Sequence, residues 1–352
     1  MGQTARKAFV ATLVVIGVVV LALALWKLKL VIFLVFFGVV IAAAMRPGID
    51  WLAEHRIPRP AGVALHYLAF AGALALLLWL VVPRAADQVS QALGTVPTSR
   101  QQLKQQAKHS SGIKHELLVG AQKRLKKLPK AGSVVHGAVK VGVTAFEVLI
   151  GMFFVLATAA YWIFERDRAI GLVTSLSPRK HRKVIRDTWE LIDLKLGAFV
   201  RGQLLLITFV ATVLSVCFWA IGLPFWLLVG VTAGVFEIVP VIGPIAAGAL
   251  AIAVGLTVSW QLALAAGIVV LVVRLLEDYV VIPRVMGHVT GVSPLLVLVG
   301  VSAIGLLLGG VYVLLATPLL AVLVTLVDVI VRDKDPADED VPAVLFAKES
   351  RG

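Results

Sequence analysis

The chain has 352 residues, of which 60% are hydrophobic and 15% charged, and it carries a formal charge of +13 at pH 7; the mean hydropathy is +0.97. A water-soluble domain has roughly 45–50% apolar and about 25% charged residues, so a soluble globular fold and a disordered chain are both excluded. The one cysteine, Cys217, stands in an apolar run with no second thiol, which excludes a disulfide framework and a zinc cluster; no cofactor is expected.

A bilayer core of about 30 Å needs about 20 apolar residues of helix, with every backbone group bonded internally. Eight apolar blocks meet or approach that length, at about 8–26, 30–44, 61–82, 143–164, 204–222, 225–258, 260–282 and 294–331. None alternates like a barrel strand. The expected fold is all-α, a polytopic helical membrane protein.

Taken in order, residues 1–82 supply the N-terminal membrane helices. Arg6 and Lys7 precede the first block, and Ala22-Leu23-Ala24 loosely resembles a signal-peptide cleavage site. A second apolar block follows within a few residues, which favours an uncleaved first helix. Segment 83–142 is a basic extramembrane part with eleven Lys/Arg against Asp87 and Glu116, so it holds nine of the thirteen net charges. Leu118, Ala121, Leu125 and Leu128 recur at helical spacing there, and Gln101, Lys104, Gln105 and Lys108 decorate a second helix. An amphipathic helical hairpin is expected, suited to packing or subunit contact. From Ala85 to Pro129 no Phe, Tyr or Trp is present to stack a base, and no zinc-finger or RNP pattern occurs, so the charge does not indicate a nucleic-acid partner.

Residues 143–331 form the main transmembrane region, interrupted at 178–203 by an amphipathic helix. Ile185, Trp189, Ile192, Leu196, Phe199 and Gln203 make one apolar stripe, which predicts a helix lying at the membrane surface and turning into the block at Leu204. The tail, 332–352, is acidic. Short Lys/Arg-rich loops stay cytoplasmic. The N-terminus, the loop 45–60 with Arg46, Arg56 and Arg59, and the polybasic run Arg179-Lys180-His181-Arg182-Lys183 are therefore placed inside, and 83–142 outside. Both termini are expected on the cytoplasmic side of a bacterial inner membrane.

Blocks 225–258 and 294–331 are too long for one ordinary crossing and barely long enough for two. Each is broken near its middle, the first by Pro240 and Pro244 around Gly243, the second by Gly309-Gly310 and Pro318. Each is a kinked helix or a hairpin of two half-helices. Paired Gly/Pro breaks of this kind point to a transporter's binding site, because freed backbone groups there can face a substrate or ion.

Ionisable groups inside a membrane cost about 2.5–3.5 kcal/mol each on insertion scales and so mark a pathway or a partner. Glu237 lies three residues before Pro240 and is the leading candidate for a carboxylate that exchanges a proton for a cation; the alternative is a plain pair with an arginine on a neighbouring helix. Arg274, Glu277 and Asp278 share one helical face and suggest an ion pair or gate. Arg201 and Gln203 stand at a membrane entrance, where they could hold an anionic or hydroxyl-rich solute. Pro283 adds a further helix break. Glu147 and Asp328 lie nearer block ends, where interfacial exposure explains them.

These residues also resemble a known family, the AI-2E family of bacterial transporters. Glu237-Ile-Val-Pro-Val-Ile-Gly-Pro244 is similar to that family's Ile-Pro-Tyr-Ile-Gly-Pro segment. Leu276-Glu277-Asp278-Tyr279, Pro283-Arg-Val-Met-Gly287 and Gly291-Val-Ser-Pro294 follow the order of its Glu-Asn, Pro-x-x-x-Gly and Gly-x-x-Pro run. Ala316-Thr317-Pro318-Leu319, Arg201-Gly202-Gln203, Arg46-Pro47 and Ile57-Pro58-Arg59 complete the ordered set; Val241, Asp278 and Tyr312 depart from it. The resemblance implies a permease, since members are described as exporters of a quorum-sensing furanone or as sodium(lithium)/proton antiporters. The expected function is secondary transport of a small polar solute or monovalent cation on a proton or sodium gradient, with efflux plausible. A passive channel and a non-transporting scaffold are the alternatives. No enzyme motif is present: His-Glu-x-x-His, Gly-x-Ser-x-Gly and a P-loop are all missing. The expected partners are the lipid bilayer and further copies of the chain, from the Gly/Ala-rich helices.

Overall fold

A computed structural model describes residues 2–93, 131–240, 242–285, 291–339, 341 and 344. Every regular element among them is helical, as hydrocarbon requires of a chain with so few groups to offer the backbone. Among the described residues, six helices are long and apolar enough to cross a membrane. The hairpin expected within 101–128 lies outside the described residues.

Helices α1 (Gly2–Lys27) and α2 (Lys29–Glu54) meet at a single residue, Leu28 (φ −87°, ψ 3°). The amide of Leu28 donates to Ala24 O and that of Ile32 to Leu28 O, both at 2.9 Å, so helical bonding runs through the junction. The chain does not reverse there. The first two apolar blocks stand end to end, whereas placing both the N-terminus and loop 45–60 on one face requires a turn between them. Helix α3 (Arg59–Leu93) carries Pro83 inside it, and α4 (Ala131–Leu176) has 46 residues. At 1.5 Å per residue these two measure about 52 and 69 Å, so each projects beyond a 30 Å core.

Helix α5 (Arg182–Ala220) follows a short 3-10 turn, Arg179–His181, and is unbroken for 39 residues. The turn expected at Leu204 is therefore corrected: the helix runs through it. No proline interrupts 182–220; Arg182, Lys183, Arg186 and Glu190 are exposed, while Asp193, Lys195 and Arg201 have partners on other elements. Asp193, Lys195 and Arg201 are all buried. Helix α5 packs on α2, α4 and the helices that follow, and is the hub of the bundle.

Both broken blocks are hairpins. In the first, α6 (Trp226–Phe236) and α7 (Ile242–Leu256) pack against each other and, with α5 and α8 (Trp260–Leu276), share one core built on Phe218, Leu214, Val229, Ala233, Ala247 and Ala251. Eleven and fifteen residues rise only about 16 and 22 Å, too short to cross. Helix α8 runs through a π-helical turn, Glu277–Val281, into the short α9 (Ile282–Val285), where Pro283 falls. In the second block, α10 (Pro294–Leu307) turns at Gly309 (φ +113°), where only glycine is unstrained, passes a 3-10 segment Gly310–Leu315 and returns as α11 (Ala316–Ile330). Helix α11, with Pro318 buried, packs on α5.

The tip of the first hairpin is set by contact distance. A Cβ on Gly243 would lie 2.0 Å from the Phe236 carbonyl oxygen, while one on Gly248 would meet nothing closer than 3.6 Å. Gly243→Ala must therefore spread the turn. It is expected to cost about 1–3 kcal/mol, read as a lowered thermal-unfolding midpoint by tryptophan fluorescence in detergent micelles, with Gly248→Ala unchanged.

Candidate functional site

The first hairpin tip places a carboxylate against a neighbouring helix. At the end of α6 the backbone tightens: the amides of Glu237, Ile238 and Val239 donate to Gly234, Val235 and Phe236, three residues back. This is the ordinary way a helix closes its last turn. Pro240 follows and cannot donate, so the chain breaks and re-enters α7 with the Gly243 amide on Val239 O at 2.8 Å. Glu237 is left at the break with 5% of its surface exposed. Its backbone carbonyl accepts a 2.7 Å bond from Gln203 Nε2 on α5.

The side chain of Glu237 reaches Arg274 on α8, Oε1 to Nη1, at 3.0 Å. The same nitrogen lies 3.2 Å from Glu277 Oε2, and the remaining edge of the guanidinium holds Asp278, with Nη2–Oδ1 at 2.7 Å and Nε–Oδ2 at 3.0 Å. The two groups that the sequence offered separately are therefore one cluster. Glu237 does pair with an arginine of another helix, and that arginine is the one that pairs with Glu277 and Asp278. The placement follows from helical geometry, since positions three and four beyond Arg274 lie on its own face. The π-helical turn begins at Glu277, and such bulges re-aim side chains at functional sites.

The electrostatics follow from counting. Three carboxylates share one guanidinium, so the fully ionised cluster has a net charge of −2. Glu277 is 2% exposed, and its Oε1 has no hydrogen-bond partner. An unpartnered carboxylate oxygen in a low-dielectric site is costly. The arrangement calls for protons, or for a cation beside Arg274. Among the described residues no group of three or more His, Cys, Asp or Glu is arranged to hold a metal.

Of the other sequence candidates, Pro240, Gly243 and Pro244 form and follow the hairpin tip, whereas Arg201 stands apart from the cluster. Positions 201 and 203, two apart on a helix, do not face each other. Gln203 turns to Glu237, while Arg201 donates to Ala44 O at 3.1 Å and Val344 O at 2.9 Å. Gly309, Gly310 and Pro318 belong to the second hairpin, and among the described residues no hydrogen bond or ion pair joins it to Arg274.

Sequence reasoning missed a second polar group. Asp193 on α5 accepts from Arg166 Nε on α4, and Arg46 Nη1 lies 3.7 Å away. Asp50 joins Arg46 and Arg59, each at 3.4 Å. Together with Trp162 they line a cavity of about 30 Å³. Arg46 and Arg59 served in the sequence only to argue sidedness. The one legible signal was an aspartate and a lysine inside a helix whose neighbours are Gly197 and Ala198.

A bundle of long apolar helices, two apolar hairpins and a buried charged cluster at one hairpin tip define a multi-pass membrane protein of the transporter class. The family model described as AI-2E family transporter matches residues 13–332, and the chain belongs to that family. It is similar to the Bacillus subtilis protein named "Putative transport protein YrrI", 24% identical over 308 residues, covering 85% of this chain and 86% of that one. A second Bacillus subtilis protein of the same designation, YueF, is 30% identical over 295 residues, with 77% and 76% covered. The Mycobacterium tuberculosis protein MT0215, also so designated, is 24% identical over 348 residues, with 96% and 93% covered.

The cluster's balance can be tested without a cargo. Arg274→Met leaves three carboxylates without their shared cation. It is expected to cost about 3 kcal/mol, the low end for stripping a buried ion pair because the guanidinium is partly exposed. Glu277→Gln in the same background recovers part of the loss, read by thermal unfolding in micelles.

Proposed function

We propose that the protein is a secondary transporter in which the Glu237–Arg274–Glu277–Asp278 cluster exchanges protons for a monovalent cation and so couples transport of a small polar solute or of the cation itself. The observation that carries this reading is the mismatch of charge: one guanidinium among three carboxylates, with Glu277 Oε1 buried and unpartnered. Two protons, or one cation and one proton, neutralise the group, and each filling is a distinct bound state. Burial favours the protonated carboxyl, while a cation favours the carboxylate, so the two ligands compete for one site. Competition of this kind is what an exchanger needs.

The position supports it as well. Glu237 sits at the tip of a hairpin too short to cross, and irregular backbone at that depth is tolerated only where it lines a cavity or is buried in protein. Contacts of Arg46 with Asp193 and of Arg201 with Ala44 and Val344 join α2, the middle of α5 and the tail. The polybasic run at 179–183 suits the cytoplasmic face of the inner membrane.

The test is reconstitution in proteoliposomes with a pH-sensitive dye, with Na⁺, Li⁺ and K⁺ offered in turn across an imposed proton gradient. Cation-dependent proton movement is expected in the native protein. Glu237→Gln and Glu277→Gln should each abolish it, a loss of at least ten-fold, while the protein still folds; Asp278→Asn, at the exposed edge, should reduce it several-fold. Full coupled movement in both glutamine variants overturns the assignment. Cation currents that persist in them and ignore the proton gradient indicate a passive channel instead.

A further inference from the structure

The polar cavity lined from α2, α3, α4 and α5 shares no residue with the carboxylate cluster. It sits where three apolar blocks end: Arg46 follows block 30–44, Arg59 precedes 61–82 and Arg166 follows 143–164. That is the boundary between membrane and water. Its depth runs from acid to base. The Asp193 side chain lies inside at 6% exposure, while Arg46 at 36% and Arg59 at 56% stand at the mouth.

Several hydrogen-bonding groups of this cavity are unused. Arg166 Nε donates to Asp193 Oδ2, but Asp193 Oδ1 is buried with no hydrogen-bond partner, and so is the indole Nε1 of Trp162. Both residues line the cavity, and the Trp162 ring is held against Trp189 with centroids 5.8 Å apart. Arg46 lies 3.4 Å from Asp50 and 3.7 Å from Asp193, and Arg59 lies 3.4 Å from Asp50. These distances all exceed the roughly 2.7–2.9 Å of a close charge-assisted bond, so both guanidiniums keep donors to spare. A buried acceptor and a buried donor left unbonded in one cavity are costly unless a guest fills them.

We propose that this cavity binds a small zwitterion of the α-amino acid kind, its ammonium donating to Asp193 Oδ1 inside and its carboxylate accepting from Trp162 Nε1 and from Arg46 and Arg59 at the mouth. The charges favour such a guest. Arg46, Arg59 and Arg166 balance Asp50, Asp167 and Asp193, so a ligand with a net charge upsets the site, whereas a dipolar one leaves it neutral with both ends matched. The size limits it as well. About 30 Å³ holds about two water-sized groups, enough for an ammonium and its carbon but not for a bulky side chain. This names the small polar solute of the exchange reading and rests on that reading for the zwitterion's being cargo; the binding itself rests on the cavity alone.

The experiment is a titration of the full-length protein in detergent micelles with glycine, followed by saturation-transfer NMR on the glycine methylene. Saturable binding is expected. Acetate, methylamine and ethylene glycol each offer only part of the pattern and should bind at least about ten-fold more weakly. Trp162→Phe, which keeps a ring but loses the N–H, and Arg59→Gln, at the exposed mouth, should each weaken glycine about ten-fold, the loss of one charge-assisted bond, with the thermal-unfolding midpoint unchanged. No saturable glycine binding, or native affinity in both variants, overturns the proposal. So does any partial probe that binds as well as glycine; for ethylene glycol, that result marks a cavity that takes any hydroxyl or water. If glycine binds as expected while the proteoliposome assay shows no exchange, the site stands and the exchange reading falls. Exchange without glycine binding does the reverse.

Discussion

An ion taken into a bilayer needs a partner already waiting for it, and in this protein helix α5 supplies most of those meetings. Within one stretch of that helix, Asp193 holds Arg166, Lys195 holds Thr325 and Glu339, Arg201 holds the carbonyls of Ala44 and Val344, and Gln203 holds the carbonyl of Glu237. Each bond goes to a different part of the chain: α4, α11 and the tail, α2, and the first hairpin. Because these polar groups are buried, none can be released cheaply unless water or another partner takes its place. The elements are therefore located by polar satisfaction at one end of the bundle and by apolar packing around Phe218 and Leu214 toward the other.

That division explains why α5 runs on through Leu204 instead of turning there. Amphipathic periodicity records which positions are apolar, and the stripe from Ile185 to Gln203 is real. It does not record whether the charges on the other faces meet water or protein. Arg182, Lys183, Arg186 and Glu190 stay exposed, but Asp193 and Lys195 meet protein, through partners that stand 27 residues away for Asp193 and 130 for the Lys195–Thr325 bond. Separations of that size leave no mark on local spacing. The join of α1 to α2 is a similar case: two apolar runs with Lys27 and Lys29 between them read as a turn, yet neither glycine nor proline is there to make one, and the helix carries on.

What was legible had a local cause. The helical class follows from apolar run length, and both hairpins follow from residues whose backbone chemistry forces a break, Pro240 with Gly243 and Gly309 with its positive φ. Glu237, Arg274, Glu277 and Asp278 were each visible as charges among apolar residues. Their union was not, because 37 residues separate Glu237 from Arg274, and only the packing of α7 on α8 brings the hairpin tip to the guanidinium. Arg201 and Gln203 are not brought together, since neighbours two apart on a helix diverge.

The cluster also bears on how such a molecule would move. Arg274, Glu277 and Asp278 sit on one continuous element, whereas Glu237 belongs to the hairpin, so of the three carboxylates only Glu237 spans a joint. Its bond to Arg274 weakens when the carboxyl takes a proton, because a charge-assisted bond is about twice as strong as a neutral one. Neutralising Glu277 acts in the opposite sense: it removes a competitor for the same Arg274 nitrogen and tightens the joint. Proton occupancy at two neighbouring carboxyls thus has opposite mechanical effects, and which of them fills first decides whether the hairpin is held to α8 or released. Gln203 keeps the backbone of Glu237 tied to α5 in either case, so the motion this permits is a pivot of the tip about α5 rather than a withdrawal of the hairpin.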